Sequence, residues 1–254
     1  MSFMILSKAK IKYIESLHNK KIRQKYNNFI VEGEKMANEI LLLPFRGVEL
    51  VVALPTWLAE NRHLLAYLEC EICETNEADL KKISTLTTPN KVLMVLKKQE
   101  TVVDNTLINN DLCIYLDALQ DPGNVGTIFR IADWFGIPYL FCGAGTVDAF
   151  SPKVIQASMG AFLRVRAIEI DLLTLKNNFP TLQILAADMD GDSVFSMPKD
   201  TKGIIVIGNE GNGVQAETLA LVTQKINIPR HKNGGAESLN AAIATGIIVG
   251  ALRG

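Results

Sequence analysis

Three stretches of this chain combine glycine with polar residues that core packing does not call for: QDPGNVGTIFRIADWFG (120–136), VIGNEGNGV (206–214) and IPRHKNGGAESLNAAIATG (228–246). Each follows a run of buried-type residues and leads into a helical pattern. That is how an α/β protein presents a ligand site at the carboxyl ends of its strands. In the first stretch Asp121–Pro122–Gly123 form a turn, and Asn124 stands where a helix cap belongs. The free N–H groups of that helix start suit an anion, and Arg130, two helical turns beyond Gly123, is placed to approach the same ligand. The second stretch has neither the GxGxxG spacing of a dinucleotide fingerprint nor the GK[ST] of a P-loop. It places Glu210 between glycines that let a ligand come close to the backbone. In the third, Glu237, Ser238 and Asn240 precede an apolar helix that needs only one capping residue. Taken singly, each stretch is also compatible with an ordinary capped turn.

Acid–base catalysis has little to work with. The three histidines are His18, His63 and His231, and no HExxH, carboxylate pair or Ser–His arrangement stands out. A reaction with an already activated group fits better. Alkyl transfer from a sulfonium is one, because positioning does most of the work.

The elements that must position these residues follow from periodicity. Helical patterns at Lys8–Leu17, Glu34–Leu42, Thr56–Leu68 and Glu77–Leu86 alternate with strand-like NFIVEG, VELVVAL, CEICET and KVLMVLKK, making an α/β unit over residues 1–98. Residues 99–111 are polar and read as a linker. A second series over 112–254 runs LCIYLDAL, a helix at Asn124–Phe135, YLFCGAG, a helix at Ser151–Val165, RAIEI, a helix at Leu172–Asn178, QILAADM, IIVIGN, a helix at Gln215–Val222, KINIP and a last helix from about Ser238. Such alternation predicts a mostly parallel sheet covered on both faces.

Composition narrows the class. The chain has 254 residues, 48% hydrophobic and 21% charged, with no apolar run of the ~20 residues a membrane span needs. Its first residues lack a signal-peptide core, so a cytoplasmic location is expected. Cys70 and Cys73 form a CxxC without the second pair or histidines a zinc site requires, so no metal is expected. Net charge is −1, yet Lys8, Lys10, Lys12, Lys20, Lys21, Arg23 and Lys25 cluster against Glu15 alone. Aromatic residues flank this run, which suits a phosphate backbone and equally a solvated helix face.

The three stretches, in this order, resemble the motifs of the SpoU (TrmH-type) RNA ribose 2′-O-methyltransferases of the SPOUT class. KKIRQKYNNFIVEGEKMANEIL resembles the L30e-like substrate-binding domain many members carry, so the likeness covers nearly the whole chain. It implies S-adenosyl-L-methionine (AdoMet) as donor, a ribose 2′-hydroxyl as acceptor, a C-terminal trefoil knot and a homodimer. Carried over by position, it makes Asn124, Arg130, Glu210, Ser238 and Asn240 catalytic. It makes Ile207, Gly208, Asn209, Gly213, Ile228, Pro229 and Leu239 the cofactor cradle. Arg130 is expected to pair with the target phosphate and stabilise the developing alkoxide, since a guanidinium is a poor base. Gly123 and the KNGG insertion depart from the family pattern in ways that bear on target choice. The implied substrate is RNA, with rRNA of the large subunit ahead of tRNA. A non-catalytic ribosome-assembly protein is the rival reading. A dinucleotide oxidoreductase would need the missing GxGxxG.

Overall fold

The computed structural model describes residues 3–44, 47–100 and 102–254, which divide into two units. The first comprises residues 1–100 together with 150–160, and the second 101–149 with 161–254.

The first unit contains β1 (Met4–Ile5), α1 (Lys8–Ser16), α2 (Lys20–Tyr26), β2 (Asn28–Glu32), α3 (Glu34–Leu42), β3 (Val48–Ala53), α4 (Pro55–Glu60), α5 (Arg62–Leu65), β4 (Glu71–Glu74), α6 (Glu77–Ile83) and β5 (Val92–Lys97). Its sheet runs β1-β4-β3-β5-β2. β1, β4 and β3 are parallel, while β5 is antiparallel to both β3 and β2. The helix expected over Thr56–Leu68 is two helices, because buried Asn61 turns its side-chain amide onto the Trp57 carbonyl and interrupts the run.

The second unit opens inside the expected linker. Residues 105–110 form α7 (Asn105–Asn110), capped by the Asp104 carboxylate and anchored by fully buried Ile108. A single buried residue makes no periodicity, so the sequence pattern could not show this helix. β6 (Leu112–Leu116), α8 (Pro122–Trp134), β7 (Tyr139–Cys142), α9 (Pro152–Ser158), β8 (Arg166–Glu169), α10 (Leu172–Asn178), β9 (Ile184–Ser193), β10 (Gly203–Ile207), α11 (Ala216–Leu219), β11 (Gln224–Asn227) and α12 (Ala241–Arg253) follow. Of these, α9 groups with the first unit. It stops well short of Val165 because Met159 and Gly160 take left-handed backbone, at φ 51° and 94°.

Six strands in the order β11-β9-β10-β6-β7-β8 make an all-parallel sheet. Every residue of β6, β7 and β10 is buried, as expected of strands covered on both faces. One irregularity bears on the site. The partner of Lys225 is Ala186, but that of Ile226 is Asp192, so residues 187–191 leave the ladder as a wide bulge of β9. Gly191 permits this, since a Cβ there would overlap the backbone of Lys225 and Ile226.

Candidate active site

The carboxyl ends of β6, β10 and β11 bring the three glycine-rich stretches together. After β10 the backbone of residues 209–213 closes a small hairpin, with reciprocal 2.9 Å N–H···O bonds between Asn209 and Gly213. Gly208 makes this possible: a Cβ there would lie 2.5 Å from the Gly213 oxygen and overlap the Val214 nitrogen. The Asn209 side chain ties the hairpin down. Its Oδ1 accepts from the N–H groups of Gly211 (2.9 Å) and Asn212 (3.2 Å), and its Nδ2 donates to the Ala118 carbonyl (2.9 Å). Behind it Asp117, only 2% exposed, accepts from the Gln215 N–H at 2.6 Å and the Thr218 hydroxyl at 3.0 Å. Sequence reasoning passed over Asp117, although an acid ending a run as apolar as LCIYL was a usable signal.

The start of α8 corrects one expectation. Its cap is Asp121, whose Oδ1 accepts from the Asn124 N–H at 2.7 Å, with Pro122 at the first helical position. Asn124 is therefore not spent on capping. Its Nδ2 donates to Glu210 Oε1 at 2.6 Å, and its Oδ1 accepts from Asn240 Nδ2 at 2.8 Å. Asn240 Oδ1 in turn caps α12, accepting from Ala242 and Ile243 N–H at 3.0 and 3.2 Å. These contacts orient the carboxamides of both Asn124 and Asn240. Asn240 must turn its oxygen to the helix, so it offers N–H to Asn124, which in turn offers N–H to Glu210. Three of the five expected catalytic residues thus form one hydrogen-bonded line, with Glu210 at its exposed end. α12 begins at Ala241 and not Ser238, because Asn240 is the cap. Ser238 lies in an exposed loop on the wall of the adjoining cavity. Arg130 is exposed on α8 and carries no hydrogen bond or ion pair among the described residues.

That cavity encloses about 740 Å³, and all seven expected cradle residues line it: Ile207, Gly208, Asn209, Gly213, Ile228, Pro229 and Leu239. Glu210 and Ser238 line it too, beside apolar Leu219, Ile226 and Ile248. The structure adds residues that the sequence did not mark. Asp188 and Met189 reach the cavity from the β9 bulge, and Asn227 from the end of β11. Asp188 forms a 2.8 Å ion pair with Lys225. The hydrogen bond from that ammonium holds the Asp188 carboxyl below its ordinary value and the Lys225 amine above its own. Asn227 Nδ2 donates to the Met189 carbonyl at 3.2 Å, while its Oδ1 is buried without a partner.

The basic run divides. Lys8, Lys12, Lys20, Lys21 and Lys25 are exposed on α1 and α2. Lys10 is drawn into a 2.8 Å ion pair with Glu71, which raises its pKa. Arg23 is a correction: it is 3% exposed, and one guanidinium nitrogen donates to the Leu17 and His18 carbonyls at 2.8 and 2.9 Å. It closes the α1–α2 turn and is not available to a polyanion. Burial pushes the Cys70 thiol up to about 11, and Cys73 is buried in β4, so the CxxC offers no thiolate.

Comparison with known proteins agrees with this geometry. Residues 111–250 match the SpoU rRNA Methylase family, and residues 8–94 match the MRM3-like substrate binding domain. The 23S rRNA (guanosine(2553)-2′-O)-methyltransferase RlmP of Bacillus subtilis is 30% identical over 248 residues, covering 96% of each chain. A solved structure from Porphyromonas gingivalis, assigned to the TrmH family of RNA methyltransferases, superposes with a TM-score of 0.83 at 37% identity over 98% of each chain. The AdoMet-bound SpoU methyltransferase AviRb of Streptomyces viridochromogenes shares the fold, with a TM-score of 0.80 over 97% of each chain at 23% identity. The ordered motifs, their convergence on one cavity and these matches place the chain in the SpoU rRNA methylase family.

Proposed function

We propose that this protein transfers the methyl group of AdoMet to a ribose 2′-hydroxyl of large-subunit ribosomal RNA. The observation that carries the reading is the Glu210–Asn124–Asn240 line, which ends beside a cavity walled in part by the hairpin that Gly208 permits. The cavity residues suit the cofactor. The volume falls in the range of small-molecule sites, and the apolar wall suits an adenine. When bound there, AdoMet supplies an electrophilic methyl group on a sulfonium.

The protein's own groups bind and orient. Asn124 and Asn240 hold Glu210 at the mouth, and the Ser238 hydroxyl stands on the same wall to receive a ribose. Arg130, charged and exposed, pairs with the target phosphate. The first unit selects the RNA, a reading supported by its substrate-binding-domain match and the exposed lysines of α1 and α2. The protein works as a homodimer. Support comes from Trp134, 85% exposed on α8, and Ile243, 57% exposed on α12, two helices that pack together. A trefoil knot belongs to the same reading and is consistent with β10 lying between β9 and β6 while α12 returns to α8.

The test is incubation with labelled AdoMet and either rRNA or tRNA, then digestion to nucleosides. Label in 2′-O-methylated nucleosides of 23S-type rRNA is expected. Label only in tRNA moves the substrate class, and no label with any RNA sinks the reading. Arg130→Lys is expected to lose most activity, and near-full retention would exclude a bidentate phosphate contact.

A further inference from the structure

Tyr26, the last residue of α2, is a large ring left 47% exposed, and its hydroxyl makes no hydrogen bond among the described residues. The ring is nevertheless held in place. It meets the ring of Tyr13 in a T-shaped contact, with centroids 5.3 Å apart at 86°. Tyr13 is itself anchored, its hydroxyl accepting from Asn28 Nδ2 at 2.7 Å. Asn27, between Tyr26 and β2, takes left-handed backbone at φ 56° and turns the chain sharply there. The result is a braced aromatic surface facing water, with little freedom left to lose on binding.

Cations gather at the same corner. Lys25 Nζ lies 5.4 Å from the Tyr26 ring centroid. The Lys98 N–H donates to the Asn27 carbonyl at 2.8 Å, and Asn27 Nδ2 donates back to the Lys98 carbonyl at 3.2 Å. The Lys98 ammonium sits over Phe150, a residue of the same unit, 4.5 Å from its ring centroid. Exposed Lys97 pairs with Asn28 in the β2–β5 ladder. Glu49 accepts from the same Asn28 amide, so the three lysines outnumber this carboxylate. A lysine over an exposed ring is a weaker contact than a base stacked on it, and a base displaces it.

Lysines attract the phosphates of any nucleic acid, so the ring is what selects. In a duplex the base faces are hidden in the stack, and an A-form helix offers only phosphates, 2′-hydroxyls and base edges. A flat side chain such as Tyr26 can stack only on a base splayed out of a helix. Resting on the reading of this protein as an RNA-modifying enzyme, we infer that the Tyr26 corner of the first unit binds unpaired RNA. A base stacks on Tyr26, Lys25 swings from the ring onto a phosphate, and Lys97 and Lys98 follow the backbone. The first unit thus recognises a loop or bulge and not a continuous helix.

The test is fluorescence anisotropy of labelled RNA with the full-length protein, using a single strand of about twelve nucleotides and a duplex of the same length. Tyr26→Ala is expected to weaken single-strand binding about tenfold and to leave duplex binding within about twofold of wild type. Tyr26→Leu keeps apolar bulk against Tyr13 but no flat face, and should show the same loss. Tyr26→Phe keeps the flat face and should stay near wild type. Single-strand binding unchanged in folded Tyr26→Ala or Tyr26→Leu overturns the assignment. So does an equal loss on the duplex, a loss that Tyr26→Phe shares, or a wild type that binds no single strand. Methyl transfer is read separately. Label in rRNA without any Tyr26 dependence of binding overturns this assignment alone. Tyr26-dependent binding without label sinks the transfer reading and leaves the RNA surface standing.

Discussion

The three glycines of GNEGNG give a graded test of the cradle, because each is glycine for a different reason. At Gly208 the backbone has no positive φ to defend. A Cβ would instead strike the backbone of Gly213 and Val214, which cannot swing aside as a side chain can. Making room means opening the hairpin and its two Asn209–Gly213 hydrogen bonds. With about 1 kcal/mol for each bond and 1–3 kcal/mol for overpacking, Gly208→Ala is expected to cost roughly 3–5 kcal/mol. At Gly213 a Cβ meets nothing within 4 Å, but φ is +69°. Gly213→Ala should therefore cost about 1 kcal/mol from left-handed backbone alone. At Gly211 the nearest neighbour is Asn209 Oδ1 at 3.6 Å, an ordinary contact, so Gly211→Ala should stay within about 0.5 kcal/mol of wild type. The assay is urea unfolding followed by circular dichroism. The transition of the second unit is recognised by its shift when S-adenosylhomocysteine is added. The same titrations give the ligand affinity, which should fall with Gly208→Ala and survive Gly211→Ala. Equal midpoints for Gly208→Ala and Gly211→Ala would refute the steric argument.

Two further outcomes follow from the site. Asn124→Ala cuts the line between Glu210 and Asn240, so methyl transfer should fall about a hundredfold, while S-adenosylhomocysteine affinity changes little. A comparable loss of ligand binding would show that Asn124 holds the cavity and not the reacting groups. The Asp188–Lys225 pair sets a pH window. The depressed Asp188 carboxyl contributes fully above the ordinary carboxylate range, and its contribution is lost as pH falls through its lowered value. The raised Lys225 contributes below the ordinary lysine range, and its contribution is lost as pH climbs through its raised value. The urea midpoint of the second unit should thus be flat from about pH 5 to about pH 10 and decline on the acid side. Asp188→Asn should show the lowered midpoint already at neutral pH, and an unchanged acid limb in that variant would remove Asp188 as its source.

Most element types were legible because period and turn chemistry are local. The strands β6 and β10, the helices α3 and α10, and Pro152 at the start of α9 follow from residues a few positions apart. The boundaries that differ have their causes in single side chains. Asn61 splits a helix, and Asp121 takes the cap expected of Asn124. The candidate site divides in the same way. The glycine-rich strand ends suggested where a ligand approaches, and all seven cradle positions implied by the family resemblance line one cavity.

What no local reading supplies is the partner of a polar side chain. Asn124 meets Glu210 across 86 positions and Asn240 across 116, and only the parallel sheet brings those loops side by side. Arg23 looked like one more cation of a basic run until packing turned it onto two carbonyls. Asn227 looked like any residue ending a strand until the β9 bulge took its N–H and left its oxygen buried without a partner. Sequence by itself determined backbone preference and residue chemistry, because these depend on a residue and its near neighbours. Tertiary structure decided which groups are satisfied and which remain open, because hydrogen-bond partners and burial depend on chain segments far apart in sequence.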